Sequence, residues 1–568
     1  MDRIKKNILV IILFAAVFLF QMGMMLPYAL YQCRTGLCGY WFPNISAAHD
    51  DSWTMAIASV AFESFPFKMP LYAGAVLKGY HFIAAFFIKI LSFSGVSFHT
   101  IFYGVVPLIW LILISKILLI LASKISKNRV FSYILIFLFF FGGSFSYFLT
   151  LSHKLPFLSS PIMTGRQAID YFQSMPLAIS LIPFLLAILY VYIEKKLSTS
   201  KKIVYLIGVI FLAWGSKFYA GVAVATMLGT FELLHCFNKW KKTHFVLLGI
   251  IIFASFFTVL LFYNPLSNQK STKEIFIFSP FATVNPIIEE RNLLYFPKLA
   301  LARYSLQEHG WGPRLMAIEL YTWTLYITYT FGIRIIGFIY VGFLLVKKRV
   351  TIIDLALLAS VTVCLLGGTM FVQSVEWWNT VQFLDYPKVI LSIYAALGIS
   401  QFLERKSFRL MLLVGLLIVL LSIHNSVQGF IERASFRSAV VLSQNQINAL
   451  NYLKKQPSGV VFALPYDRNM ISNTNKIEDG MDPVYIPIIS QKVMYFTSPY
   501  ILDLTATDYT ENKAIVEKYL FSAPHLIDAS YFYINKFNKL YSKVKFDRAY
   551  FRIVYENSDV VILKKRAL

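Results

Sequence analysis

Residues 7–30 read NILVIILFAAVFLFQMGMMLPYAL and follow a basic stub, Met1–Lys6. About 20 apolar residues in helical form cross the hydrocarbon core of a bilayer, so this stretch is long enough to span. A secretory leader would have a shorter apolar core, roughly 7–15 residues, closed by a small-residue cleavage site. No such site follows here. The stretch is therefore an uncleaved first membrane span, and it sets the reading of everything after it. The chain has 568 residues, 57% hydrophobic and only 14% charged, with a mean hydropathy of +0.62. That leaves too little polar surface to clothe a soluble globule. Lysine and arginine exceed acids by 24, an excess that in a soluble protein would suggest nucleic acid. Here much of it lies in short clusters between apolar runs, so it reports topology, and no nucleic-acid partner is expected.

Further runs of spanning length fall at Ile101–Ser123, Phe131–Leu151, Met175–Ile193, Phe245–Tyr263, Ile352–Phe371, Tyr386–Phe402 and Leu410–Ile423. Ile203–His235 is interrupted by Gly215, Ser216 and Lys217 and reads as two short helices meeting near the outer face. Leu315–Val346 carries Arg334 and reads either as one tilted span or as an interfacial helix running into a span. Basic clusters at Arg3–Lys6, Lys124–Arg129, Lys195–Lys202, Lys239–Lys242, Lys347–Arg349 and Arg405–Arg409 fall on alternate sides of these runs. Cytoplasmic loops carry such clusters. The pattern closes with about 11 spans, the N-terminus inside and the C-terminal region outside the cytoplasmic membrane. It requires the short apolar segment Tyr80–Phe93 to lie against the membrane without crossing.

The fold class is thus mainly α: a polytopic helical membrane body, 1–425, and a small exported α/β domain, 426–568. The outer loop 31–100, the segment Asn264–Arg314 and the C-terminal region lie outside. The last is less apolar. Strand-like runs at Gly459–Leu464, Val493–Thr497, Ala529–Ile534 and a hairpin at Phe551–Lys564 alternate with helical patterns at Gln444–Lys455 and Thr507–Leu520. Cys33 and Cys38, spaced C-x4-C in the first outer loop, are placed for a disulfide in an oxidising compartment. Cys236 and Cys364 read as unpaired apolar side chains.

The chemistry concentrates in His49-Asp50-Asp51-Ser52-Trp53, just beyond the first span. Two carboxylates at the membrane surface supply a general base, although a solvated helix cap would account for the spacing equally well. Lys217, between two apolar helix halves and away from any basic cluster, is costly unless paired, functional or snorkelling to the interface. Trp377, Trp378, Asn379 and Gln382 stand at the outer end of a late span with Glu376. An interfacial aromatic belt explains tryptophans there, while the amides add hydrogen-bonding capacity suited to sugar hydroxyls.

The order of motifs is informative. After the aspartates come Phe65-Pro66, Pro70, Tyr72-Ala73-Gly74 and Gly79-Tyr80-His81; later come Lys217-Phe218-Tyr219, Trp377-Trp378-Asn379-Thr380-Val381-Gln382-Phe383 and Tyr485-Ile486-Pro487. This series resembles the GT-C superfamily of multispanning glycosyltransferases that use polyprenyl-phosphate sugars, in particular its uncharacterised bacterial branches. The resemblance covers almost the whole chain, each motif being weak alone. It implies sugar transfer, with inversion, from a polyprenyl-phosphate donor to a glycan, lipid or protein acceptor at the outer face of the cytoplasmic membrane.

In that family an acid of the first outer loop is the base. Asp50 matches the aspartate of the related pattern H-D-G-x-W, and Asp51 stands where glycine often does, as a partner or metal ligand. His49, His81, Lys217, Trp377, Trp378, Asn379 and Gln382 are then substrate-binding candidates, with Lys217 facing the departing phosphate. Arg166, Arg291, Arg303 and Arg314 are further outer charges, and Tyr485, Pro487, Asp503 and Tyr509 could border the cavity from the C-terminal region. No resident cofactor is implied; a divalent cation stays open, since the sequence has neither a D-x-D nor a His/Cys cluster. No nucleotide-binding glycine pattern is evident. A transporter or flippase is the competing class, but it calls for inverted halves with ionisable residues near the bilayer midplane, and only one interrupted pair is present.

Overall fold

The computed structural model describes residues 8–153, 172, 174–263, 276–404, 406–465, 477 and 482–566. The basic stub, Arg166 and Arg405 lie outside them. Among the described residues eight helices are long and apolar enough to cross a membrane, or nine if the pair Phe408–Ser422 and His424–Ser435, bent by 48°, is one span. The protein is a multi-pass helical membrane protein with a small C-terminal sheet region.

One expected span takes a different form, and the segments with special readings resolve as follows. Phe131–Leu151 is not one helix: Arg129–Phe141 stops after 13 residues and Ser146–His153 begins after a break. The break falls at Gly142-Gly143, where a side chain on Gly142 would collide with Arg334. Ile203–His235 forms two full helices, Thr199–Ser216 and Phe218–Lys239, hinged at Lys217. Leu315–Val346 lies in a continuous helical stretch, Pro313–Val346, with a tight 3-10 turn at Gly332–Arg334. Tyr80–Phe93 contains only the 10-residue helix Ile83–Ser92.

Two charged groups within this apolar body are met by neighbouring helices, as a medium without water favours. Arg334 is 1% exposed. Its Nη2 donates to the carbonyls of Leu138 (2.8 Å) and Gly142 (2.7 Å), and its Nε donates to Ser392 Oγ (2.9 Å). It thereby closes the C-terminal end of the short helix Arg129–Phe141, whose last carbonyls have no partner within the helix. Far from Lys217, Tyr190 donates to Glu232 at 2.9 Å and His244 Nδ1 lies 2.6 Å from the other Glu232 oxygen. This joins the helices Met175–Ile193, Phe218–Lys239 and Lys242–Tyr263 at one end and leaves their other ends to form the site.

Among the described residues nine strands build three small sheets. They are β1 (Gln32–Arg34), β2 (Leu37–Phe42), β3 (Phe276–Phe278), β4 (Phe371–Gln373), β5 (Val440–Ser443), β6 (Val461–Ala463), β7 (Tyr531–Asn535), β8 (Phe551–Glu556) and β9 (Val560–Lys565). β1 and β2 form a hairpin turning on Thr35 and Gly36, both at positive φ, with Cys33 and Cys38 disulfide-bonded across it. β5 adds to β2, so the C-terminal region completes a sheet begun just after the first long helix. β3 pairs with β4. The third sheet runs β6-β7-β9-β8. The β8–β9 hairpin follows the sequence pattern, and the helix at Gln444–Lys455 matches it residue for residue. Val493–Thr497 forms only single bridges, Met494 to Val461 and Phe496 to Tyr72. Cys236 and Cys364 are buried and unpaired.

Replacing Arg334 by Gln removes a charged donor from two buried carbonyls and should lower unfolding stability by on the order of 2–3 kcal/mol. Thermal unfolding in detergent checks this against the exposed Arg314→Gln, which should leave the midpoint in place.

Candidate active site

The segment after β2 begins its helix at Asn44, whose side chain accepts from the Ala47 N–H at 2.7 Å. The helix, Ile45–Val60, is therefore capped by Asn44 and not by either aspartate. Asp50 and Asp51 sit in its second turn, and successive helical residues point about 100° apart. Asp51 turns into the protein, 2% exposed, and accepts from the Tyr103 hydroxyl at 2.5 Å. The Asp50 side chain is 58% exposed and shares a helix face with Trp53 and Thr54, three and four residues on. All four line one cavity of about 370 Å³.

Three other parts of the chain bring most of the remaining polar groups to that cavity. The loop Gly79-Tyr80-His81 forms one wall. Gly79 has φ +67 and lies so close to the Thr505 carbonyl that a Cβ would stand 3.0 Å from its oxygen, which fixes the loop against the C-terminal region. Tyr80 packs edge-on against Trp53 and stacks on His81. Burial, with the nearby Lys217 charge, holds the His81 ring well below its usual pKa, so it is neutral near pH 7. Its buried Nε2 has no protein partner.

A second wall comes from the hinge. Lys217 is extended (φ -162, ψ 133) between its two helices, and helix Phe218–Lys239 starts without a side-chain cap. The Lys217 side chain is 8% exposed, with Nζ 5.8 Å from the Tyr219 ring centre. Gly215 and Gly221 permit this tight junction, since a side chain at either would strike Ile83 and Phe262, or Trp214. The positive end of a helix and a lysine thus meet at the cavity.

The third wall is the segment that leads from β4 into the turn Trp377–Leu384. Asn379 Nδ2 donates to Gln373 Oε1 at 2.6 Å, and Gln382 Nε2 donates to Asn379 Oδ1. That chain leaves Gln382 Oε1 buried without a protein partner. Burial pushes the Glu376 carboxyl above its ordinary pKa, and the Asp50 charge adds to this; hydrogen bonds with Tyr500 and Trp378 act the other way.

Of the residues singled out in the sequence, Asp50, Asp51, His81, Lys217, Trp378, Asn379 and Gln382 therefore line one cavity. His49 and Trp377 do not. His49 stands behind Asp50, with Nδ1 3.4 Å from the carboxylate and Nε2 3.1 Å from Ser498 Oγ. Trp377 is 42% exposed and turned away. Among the arginines, Arg303 is engaged by Glu289 and Glu319, and neither Arg291 nor Arg314 lines the cavity. From the C-terminal region the cavity is lined by Tyr500, Ile501 and Leu504 instead of Tyr485, Pro487, Asp503 or Tyr509. Tyr485 is fully buried, and the Pro487 carbonyl accepts from Ser59. Nothing in the local sequence marks Tyr500; its place follows from the helix Pro499–Leu504 seating against the loop. Among the described residues no group of three or more His, Cys, Asp or Glu side chains is gathered to hold a metal.

A second, apolar hollow of about 150 Å³ lies between helices, lined by Phe87, Trp110, Ile179, Pro183, Leu212 and Ser216. It adjoins the first in sequence, because Ser216 precedes Lys217 and Ile179 follows Pro176, both of which line the cavity.

No family model and no curated protein matches this sequence. Among solved structures, the chain is similar to the archaeal oligosaccharyltransferase AglB from Archaeoglobus fulgidus, solved in complex with an inhibitory peptide and a dolichol-phosphate. The TM-score is 0.47 at 13% identity, over 94% of this chain and 70% of that one. It is also similar to an Archaeoglobus fulgidus oligosaccharyltransferase in the apo form, with a TM-score of 0.46 at 12% identity, over 92% and 69% of the two chains.

A histidine held neutral in the folded state contributes stability that is present above its unfolded pKa and lost as pH falls, because only the unfolded chain then takes up the proton. For His81 the loss begins below 6.5. The melting temperature of the wild type should accordingly fall more steeply between about pH 7.5 and pH 5.5 than that of His81→Gln.

Proposed function

We propose that this protein is an inverting glycosyltransferase, moving a sugar from a polyprenyl-phosphate donor to an acceptor hydroxyl at the outer face of the cytoplasmic membrane. The observation that carries the reading is the single cavity into which Asp50, Lys217 and the Trp378, Asn379 and Gln382 group converge from distant parts of the chain. A base, a cation and a set of sugar-compatible donors, acceptors and rings are what this reaction needs. The order of motifs resembling the GT-C superfamily points to the same chemistry.

In this mechanism the Asp50 carboxylate accepts the proton of the acceptor hydroxyl as its oxygen attacks the anomeric carbon. The bond from that carbon to the phosphate oxygen breaks, and the polyprenyl phosphate leaves with the electron pair. One displacement from the face opposite the leaving group inverts the anomeric centre. Lys217, at the start of a helix, compensates the charge that develops on the departing phosphate. Gln382 Oε1 and His81 Nε2, both buried without protein partners, gain hydrogen bonds from a bound sugar, and Trp378 offers it a ring face. Asp51, fixed by Tyr103, holds the helix in register and leaves Asp50 to act. His49 orients the Asp50 carboxylate from behind. The apolar hollow beside Ser216 takes the first isoprene units of the donor.

Native mass spectrometry of the gently solubilised protein and of Asp50→Asn tests the donor class. A co-purified polyprenyl-phosphate sugar, retained by the variant while transfer falls by about 10²–10⁴-fold, is the expected result. A variant with intact transfer would remove Asp50 from its role, and substrate flux in vesicles without transfer would favour a transporter.

Ile179→Trp should fill the apolar hollow. The expected effect is a KM raised about tenfold for long-chain donors, with kcat and the KM for a short-chain donor analogue little changed. Equal effects on both donors would place the lipid chain elsewhere.

A further inference from the structure

A third concave site lies on the C-terminal sheet, away from the cavity around Asp50. It encloses about 340 Å³, and its rim carries Arg548, Arg552 and Arg566 around an apolar floor of Phe551, Leu563 and Phe546. Tyr541 and Ile553, 36% and 55% exposed, also line it, with Ile534, Val561 and one acid, Glu556. The stretch from Lys536 to Arg566 contains nine lysines and arginines against three acids. Each of those acids has a partner other than the three arginines. Asp547 accepts from the Ala549 N–H at 2.8 Å and shapes the turn that presents Arg548. Glu556 pairs with Lys536 at 2.8 Å. Asp559 is buried and accepts from Ser443 at 2.7 Å.

Among the described residues the three arginines form no ion pair with an acid. Arg552 also stands directly across from Lys564 in the β8–β9 ladder, a like-charge pairing that weakens a hairpin unless an anion intervenes. The fork of a guanidinium fits carboxylate and phosphate in particular. Rings and aliphatic side chains between such forks suit the C–H face of a sugar. The rim residue Arg552 lies on β8, an edge strand of the sheet. β6 is the edge that bonds into the loop beside the spans, through Val461 to Val493 and Tyr495, whereas β8 is the opposite edge.

We propose that this hollow binds an acidic glycan, one whose sugars carry carboxylate or phosphate groups, and tethers it near the exported face of the protein. The position at the distal edge favours a polymer arriving from outside over lipid headgroups. The binding stands apart from the transfer chemistry, since none of these residues lines the cavity around Asp50.

The test uses the full chain in nanodiscs of zwitterionic lipid, with calorimetric titration of hexagalacturonate, glucose 6-phosphate and, as the neutral control, maltohexaose. The expected result is binding of one or both anionic probes, weakened by about tenfold or more in the double variant Arg552→Gln/Arg566→Gln. Lys454→Gln/Lys455→Gln, which removes the same charge from another exposed face, should change it by less than about twofold. Arg548→Gln serves as an independent second variant, and unchanged melting temperatures establish that all three fold. The proposal is overturned if neither anion binds, if maltohexaose binds equally, or if both double variants lose binding alike. It is also overturned if phosphatidylglycerol vesicles capture the wild type while the soluble anions do not.

Discussion

The hydrogen bond from Tyr103 to Asp51 fixes which way the helix Ile45–Val60 faces, and the site depends on that orientation. A carboxylate buried to 2% exposure is costly unless a donor meets it, so the helix cannot rotate without losing the bond. Rotation is also blocked at both ends. Ser59 donates to the Pro487 carbonyl at 2.9 Å, and His49 lies 3.1 Å from Ser498. With one aspartate anchored inward, the next residue back is obliged to face the cavity. The paired acids are thus one device with two parts, a fixed one and an exposed one.

The same logic of buried polar groups explains the membrane body. Arg334 would be out of place in an apolar helix were it not supplying hydrogen bonds to carbonyls at the end of a helix too short to cross. The Lys217 hinge is similar in kind. Two glycines allow neighbouring helices to come close around it, and the break brings a helix start, a lysine and an aromatic ring to one point.

Much of this was legible in the sequence where the signal is local. Apolar runs gave the helices, the turn at Glu556–Asp559 gave the hairpin, and capping chemistry at Ser443 defines a helix whose bounds the sequence pattern matched. Seven candidate residues meet in one cavity because charge or amide groups beside apolar spans are conspicuous. What escaped depends on tertiary contact. The helix break at Gly142 requires Arg334, nearly 200 residues away. Tyr500 reaches the cavity only because Gly79 lets its loop approach Thr505. Among residues of the last region, Tyr485 and Pro487 drew notice for their motif, but they serve packing, and their pattern gives no sign of which face they present.

The pairing of β2 with β5 joins residues about 400 positions apart, and Tyr28 reaches the Arg433 carbonyl across a similar distance. A chain is synthesised from one end and enters the membrane span by span, so the loop that carries the aspartates emerges long before the strand that completes its sheet. Contacts of such separation form late. During that interval the edge of β2 is open to other strands, guarded by a disulfide hairpin short enough to close without the rest of the chain. Completion of the cavity is in this sense the last event of biogenesis: the protein can be fully inserted and still lack the wall that Tyr500 provides.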